Sequence, residues 1–264
     1  MSPFAIKWFF SLIIGSLWVT ISTLIAEKVS GKLGGLIAGL PTTAVVSLMF
    51  IGLTLGLNPA LTAAKMVPLS SGLYCFFFLT YLIQTKKGFL QGFIKSLIVW
   101  FAFAFIASKL SFTNLLTSSL IGFILISATI WWAEKNIQID NQLIPKNIKS
   151  SPLWIKATLT GLVISSVVFI SKLAGPVWGG IFATFPALTI STILLTIKSG
   201  GVEFTRLIAK NIHISTTFSI ALFAILSYFF FPIFGVIVGT IIAYITLLII
   251  SIPLYRLIFD RLKD

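Results

Sequence analysis

Apolar residues run through this chain in blocks separated by short polar stretches. Each block is roughly 20 residues, long enough to carry a helix across about 30 Å of hydrocarbon. The blocks predict nine spans, at 5–26, 32–56, 61–84, 89–109, 113–133, 152–172, 177–198, 207–230 and 233–258. Only Lys109, Leu110, Ser111 and Phe112 separate the fourth span from the fifth, which reads as a tight helical hairpin. The longest polar stretch, Glu134 to Ser151, divides the chain into halves and is too short to be a domain. The expected fold is all-α: a polytopic helical membrane protein with about nine transmembrane helices.

Composition supports this and removes other classes. The chain is 58% hydrophobic and 9% charged, with a mean hydropathy of +1.08, whereas soluble domains carry about 25% charged residues. The net charge of +13 would suit nucleic acid, but the lysines form no continuous stripe. They cluster between apolar blocks, as attraction to an anionic membrane face predicts. No nucleic-acid partner is expected; the lipid bilayer is. Cys75 is the single cysteine, which excludes an internal disulfide and any cysteine-rich metal site. The first apolar block is too long for a signal-peptide core and lacks a small-residue cleavage site, so it reads as a retained helix.

The basic residues orient the spans. With the N-terminus outside, 12 of them, including Lys28, Lys86, Lys87, Lys135, Arg206 and Arg256, fall on one side. The other side receives only Lys7, Lys109 and Lys172. The richer side is the cytoplasmic one, so the N-terminus is expected outside and the C-terminus in the cytoplasm, with the inner (plasma) membrane as the expected location.

The two halves repeat each other at a spacing of 145 residues. Gly34-Gly35-Leu36-Ile37-Ala38-Gly39-Leu40-Pro41 aligns with Gly179-Gly180-Ile181-Phe182-Ala183-Thr184-Phe185-Pro186. The same offset pairs Gly56 with Gly201, Ala64 with Ala209, Lys65 with Lys210 and Ser70 with Ser215. The implied units are repeat 1 over 1–112, a linker helix and cytoplasmic loop over 113–150, and repeat 2 over 151–264. Four spans followed by one unpaired crossing would insert the second copy upside down. That arrangement, two inverted four-helix repeats joined by a linker helix, is the architecture of many secondary transporters.

At these residues the chain resembles the GlpM-like family of small bacterial inner-membrane proteins. The shared core reads Ala38-Gly39-Leu40-Pro41-Thr42-Thr43-Ala44 and again Ala183-Thr184-Phe185-Pro186-Ala187-Leu188-Thr189, the second copy continuing through Gly200-Gly201-Val202-Glu203-Phe204-Thr205-Arg206. The resemblance covers about a third of the chain. It implies a membrane protein built as a fused, internally inverted pair of such units, with a transport role, and brings no catalytic residues with it.

Paired glycine and proline interruptions in corresponding positions of two halves point to a transporter's binding site. An intrahelical proline removes a backbone hydrogen bond and costs about 3 kcal/mol or more. In hydrocarbon such breaks survive where they face protein or a water-filled cavity. If Pro41 and Pro186 break their helices, each following half-helix aims a positive N-terminal dipole inward. The candidate substrate-binding residues are Gly35, Pro41, Thr42, Thr43 and Lys65 in the first half. In the second they are Gly180, Pro186, Thr189, Lys210, His213 and Thr217. Lys210, His213 and Thr217 share one helix face, and the equivalent face of the first half carries Lys65, Pro68 and Gly72.

Blander readings of the same residues stand beside this one. The glycines allow close helix packing while the prolines merely kink, the lysines snorkel to the headgroups, and His213 packs with a hydrogen bond. All six acidic residues (Glu27, Glu134, Asp140, Glu203, Asp260, Asp264) lie at helix ends, in loops or in the tail. Proton and cation carriers rely on intramembrane carboxylates, so the expected solute is a small anion. No cofactor, metal or enzymatic activity is expected, and a homodimer is compatible with the pattern. The competing expectation is a non-transporting membrane scaffold or accessory subunit of an envelope-assembly system. It would show close helix packing at Gly34/Gly35 and Gly179/Gly180 and no central cavity.

Overall fold

A computed structural model describes residues 3–28, 40–110, 114–139 and 153–261, and every element among them is helical. In chain order these are α1 (Pro3–Lys28), α2 (Thr42–Leu55), α3 (Leu57–Gln84), a 3-10 turn (Thr85–Lys87), α4 (Phe89–Leu110), α5 (Leu115–Asn136), α6 (Leu153–Ala174), α7 (Pro176–Phe182) and α8 (Ala187–Arg261). Among the described residues, seven apolar helical stretches are long enough to cross a membrane, one of them, Pro176–Leu194, running from α7 into α8, and α2 is a shorter apolar helix of 14 residues. The apolar run Gly200–Ser251 has 52 residues, about 78 Å if straight, more than twice the hydrocarbon thickness. It is not straight. Gly201 and Gly235 leave helical geometry inside α8, dividing it into segments 187–200, 202–234 and 236–261.

Local chemistry explains where helices begin. Asn114 caps α5, its side-chain oxygen accepting from the Leu116 N–H at 2.9 Å. Pro176 opens α7 at its first turn, where a missing N–H costs nothing. Gly56 (φ 101°, ψ 174°) separates α2 from α3, and Gly201 (φ 72°, ψ −173°) separates the first two segments of α8. Both occupy a backbone region that is essentially restricted to glycine. They are the pair that align at the repeat offset.

The chain reverses sharply at two of these points. A Cβ on Gly52 would lie 3.4 Å from that of Ala60, and one on Gly239 would lie 2.9 Å from the Phe230 carbonyl oxygen. Residues eight or nine apart in one straight helix stand about 12–13 Å apart.

α3 is the centre of the bundle. Phe77, Phe78, Tyr81 and Leu82 are fully buried on it, and α2, α4, α5, α7 and α8 all pack against it. Pro68 does not break α3. The helix continues through it, and the Leu69 N–H next to it donates to the Ser118 hydroxyl of α5 at 3.2 Å. α5 comes this close because Gly72 meets Gly122, and Gly122 meets the Pro68 carbonyl. Such small-residue contacts let helix backbones approach within a bilayer.

Helices that align at the repeat offset pack against each other head to tail. Trp8 of α1 donates to the Ser165 carbonyl at 2.8 Å and its ring meets Phe169, whereas Gly15 meets Ile164 and Gly161 meets Ser16. In the second pair, Lys65 of α3 meets Tyr228, Phe78 meets His213 and Tyr81 meets Thr205. As one number rises the other falls, so α1 runs antiparallel to α6, and α3 to segment 202–234 of α8.

Candidate functional site

Both expected breaks begin with the same local structure. The Thr42 N–H donates to the Leu40 carbonyl at 2.8 Å, and the Ala187 N–H donates to the Phe185 carbonyl at 2.7 Å. Each proline thus sits at the centre of a three-residue turn, and Pro41 (φ −80°, ψ 55°) has the dihedrals of an inverse γ-turn. The first helical bonds follow in register: Val45 N–H to the Pro41 carbonyl at 3.0 Å, Ile190 N–H to the Pro186 carbonyl at 2.7 Å. In the second half the interruption is complete, since α7 ends at Phe182 and α8 starts at Ala187. In the first half, Gly35 and the rest of its glycine segment lie outside the described residues.

The break at Pro186 stands at mid-height of α3. The Thr189 hydroxyl lies 2.7 Å from that of Tyr74, and Tyr74 is near the middle of that 28-residue helix. Aromatic rings close over the break: Trp100 of α4 meets Phe182 and Phe185 edge-on, with centroids 5.3 and 5.0 Å away. Gly180 is a point of close packing, because a Cβ there would lie 2.2 Å from the Ala63 carbonyl oxygen. Gly179 is pressed between Ser171 and Ile51 in the same way. On the α2 side, Thr42, Thr43 and Ser47 are buried, and the Thr42 and Ser47 hydroxyls have no hydrogen-bond partner.

Lys210, His213 and Thr217 do share a face, and it is turned onto α5 and α3. The Lys210 ammonium lies 3.1 Å from Glu134 and donates to the Ile137 carbonyl at 2.9 Å. His213 is fully buried, stacked on Phe78, with Nε2 3.3 Å from the Thr129 hydroxyl and no partner at Nδ1. The Thr217 hydroxyl donates to the His213 carbonyl at 2.7 Å. Lys65 is elsewhere, over the Tyr228 ring at 5.5 Å in a groove that also includes Asn114. Asn114 and Glu134 are the two ends of α5, so the lysines stand about 30 Å apart. The structure therefore does not bring the candidate residues into one site. It groups Pro41, Thr42 and Thr43 at the start of α2, and Gly180, Pro186 and Thr189 around the break between α7 and α8. Lys210 belongs to an ion pair, and Lys65 to a groove at the far end of α5.

Arg206 counts among the charges expected on the cytoplasmic side. The structure buries it, 1% exposed, inside α8. Its Nη1 reaches both Glu203 oxygens at 2.6 Å, its Nε donates to the Leu82 carbonyl at 2.9 Å, and Nη2 has no partner. The Glu203–Arg206 spacing of three residues was the available signal, since such pairs meet on one helix face. Nearby, Tyr81 donates to the Thr205 hydroxyl at 2.8 Å. Among the described residues no cluster of three or more His, Cys, Asp or Glu could hold a metal ion.

Compared with known proteins, residues 8–114 match a family model described as a protein of unknown function, DUF3147. No curated protein and no solved structure matches the chain.

Proposed function

We propose that the protein is a secondary transporter of the inner membrane, built from two inverted four-helix repeats joined by α5, and that its solute passes between the Pro41 and Pro186 breaks. The observation that carries the transport reading is the same proline-centred turn, with the same hydrogen bonds, opening a helix at both positions. A helix N-terminus at mid-height of a membrane bundle is a charge-bearing feature in a medium that offers none. The antiparallel packing of α1 on α6, and of α3 on segment 202–234, supports inversion, because those helices correspond at the repeat offset. The family match over 8–114 spans α1 to α4, the extent of the first proposed repeat, and the GlpM-like resemblance fits the same unit. Nine crossings follow if Gly200–Ser251 crosses twice and α2 crosses as well.

A small anion is the solute this arrangement favours. Two inward N-termini bring positive potential, and the buried Thr42 and Ser47 hydroxyls have unused hydrogen-bonding capacity. Lys210 contributes little to that field, being neutralised by Glu134, so the preference rests on the helix ends. The test is uptake into proteoliposomes of inorganic phosphate and a panel of small carboxylates under an imposed gradient. Flux that Thr42→Val and Thr189→Val together abolish would support the reading. A folded protein that moves none of the panel would remove it.

One observation favours the second reading, a non-transporting scaffold or accessory subunit. Gly179 and Gly180 are the close-packed interface which that role calls for. A carrier closed at this depth would pack in the same way, so the flux measurement separates the two.

A further inference from the structure

A groove of about 490 Å³ opens between α3, the start of α5 and segment 202–234 of α8. Its polar residues are Lys65, Asn114, Ser119 and Tyr228. We propose that this groove binds the headgroup and upper acyl chain of an anionic phospholipid, with Lys65 holding the phosphate. The proposal is independent of the transport reading.

Lys65 is an unneutralised cation. Lys210 faces Glu134 and Arg206 faces Glu203, whereas among the described residues no carboxylate stands within ion-pairing distance of Lys65. Its ammonium rests over the Tyr228 ring at 5.5 Å, a contact that positions a cation without cancelling its charge. Asn114 spends its side-chain oxygen on the cap of α5, which leaves its amide N–H groups for a ligand. Ser119 also lines the groove, and its hydroxyl beneath that surface is buried with no hydrogen-bond partner. Ammonium, amide and hydroxyl are donors, and phosphate oxygens are acceptors.

The rest of the lining selects a lipid over a soluble anion. Leu116 and Phe229 are 64% and 55% exposed on helices of membrane-crossing length, so the groove opens along an apolar surface. A free phosphate would leave that surface uncovered, whereas an acyl chain lies along it. Lys65 falls within the first third of α3, near the depth where a headgroup meets hydrocarbon.

The experiment is competitive lipid retention by the full chain in detergent, read by native mass spectrometry, with phosphatidylglycerol and phosphatidylcholine as probes. Wild type should retain phosphatidylglycerol preferentially by about fivefold, the scale of one basic residue at a membrane surface. Lys65→Gln should erase the preference, Lys65→Arg should keep it, and Ile225→Trp should lower retention by filling the groove with the charge intact. Lys86→Gln removes one exposed charge from the 3-10 turn just past the opposite end of α3 and should change nothing. Equal losses in Lys65→Gln and Lys86→Gln would mean that net charge alone retains the lipid, which overturns the site. Displacement of the lipid by millimolar inorganic phosphate, in wild type but not in Lys65→Gln, would overturn the lipid assignment in favour of a soluble anion. Neither result depends on whether the protein moves a solute.

Discussion

The hydroxyl of Tyr74 lies 2.7 Å from that of Thr189, joining the middle of α3 to the first turn after the Pro186 break. Both side chains are buried, so water cannot replace the bond if it is lost. Tyr74→Phe should destabilise the protein by about 1 kcal/mol, read as a drop of a few degrees in unfolding temperature in detergent. Thr189→Val should cost about the same, and the double variant little more than either single one. Fully additive losses would show that the two hydroxyls do not act on each other.

Lys210 and Glu134 are 13% and 28% exposed, between a surface pair and a buried one. Their coupling, from the cycle Lys210→Met, Glu134→Gln and both together, should be about 1–2 kcal/mol. Lys210→Met should be the milder single change, because it leaves a carboxylate with some access to solvent. A coupling near zero would restore Lys210 to the pool of charges open to a solute.

Gly180→Ala tests the packing at the second glycine pair. The added methyl would meet the Ala63 backbone oxygen at 2.2 Å, and backbone cannot rotate away as a side chain can. The expected cost is about 1–3 kcal/mol or more, seen as lower yield of folded protein and a lower unfolding temperature. Wild-type behaviour would show that α7 is loosely seated.

Gly56→Ala and Gly201→Ala isolate a backbone effect, since a Cβ at either position meets nothing within 4 Å. Each should cost about 1–3 kcal/mol from dihedral strain alone. The two costs should be of similar size, because both glycines occupy the same glycine-only region of φ and ψ. Very different values would indicate that the turns are not equivalent.

Inversion has its own measurement. Asn58 and Glu203 align at the repeat offset and both are exposed. On a Cys75→Ser background, Asn58→Cys should react with a membrane-impermeant maleimide from outside and Glu203→Cys only from inside. Labelling of both from one side would mean that the repeats lie the same way up.

Apolar block length made the helices legible, because crossing a bilayer demands about 20 residues whatever the neighbours are. The helix starts were legible too: the paired prolines marked the turns that open α2 and α8, and Gly56 and Gly201 marked the turns that follow. Side-chain destinations were not. Lys65 and Lys210 align in sequence, yet one meets Glu134 from α5 and the other the Tyr228 ring. That difference comes from α5, which has no repeat partner and so gives the two lysines different neighbours. The burial of Arg206 was not legible either. Charge counting gives the membrane side of an arginine but not its burial, and this one lies buried against the Leu82 carbonyl and Glu203. Pro68 shows the limit of reading proline as a break, since Ser118 on a neighbouring helix takes up the adjacent N–H.

The reversal at Gly235 places Phe230 against Gly239 with a single glycine out of helical geometry between them. Proteases bind substrates as an extended stretch of several residues, and a corner this short has none to give. Limited digestion of the folded protein should therefore leave the polypeptide intact across Gly235, even though the corner joins two helices.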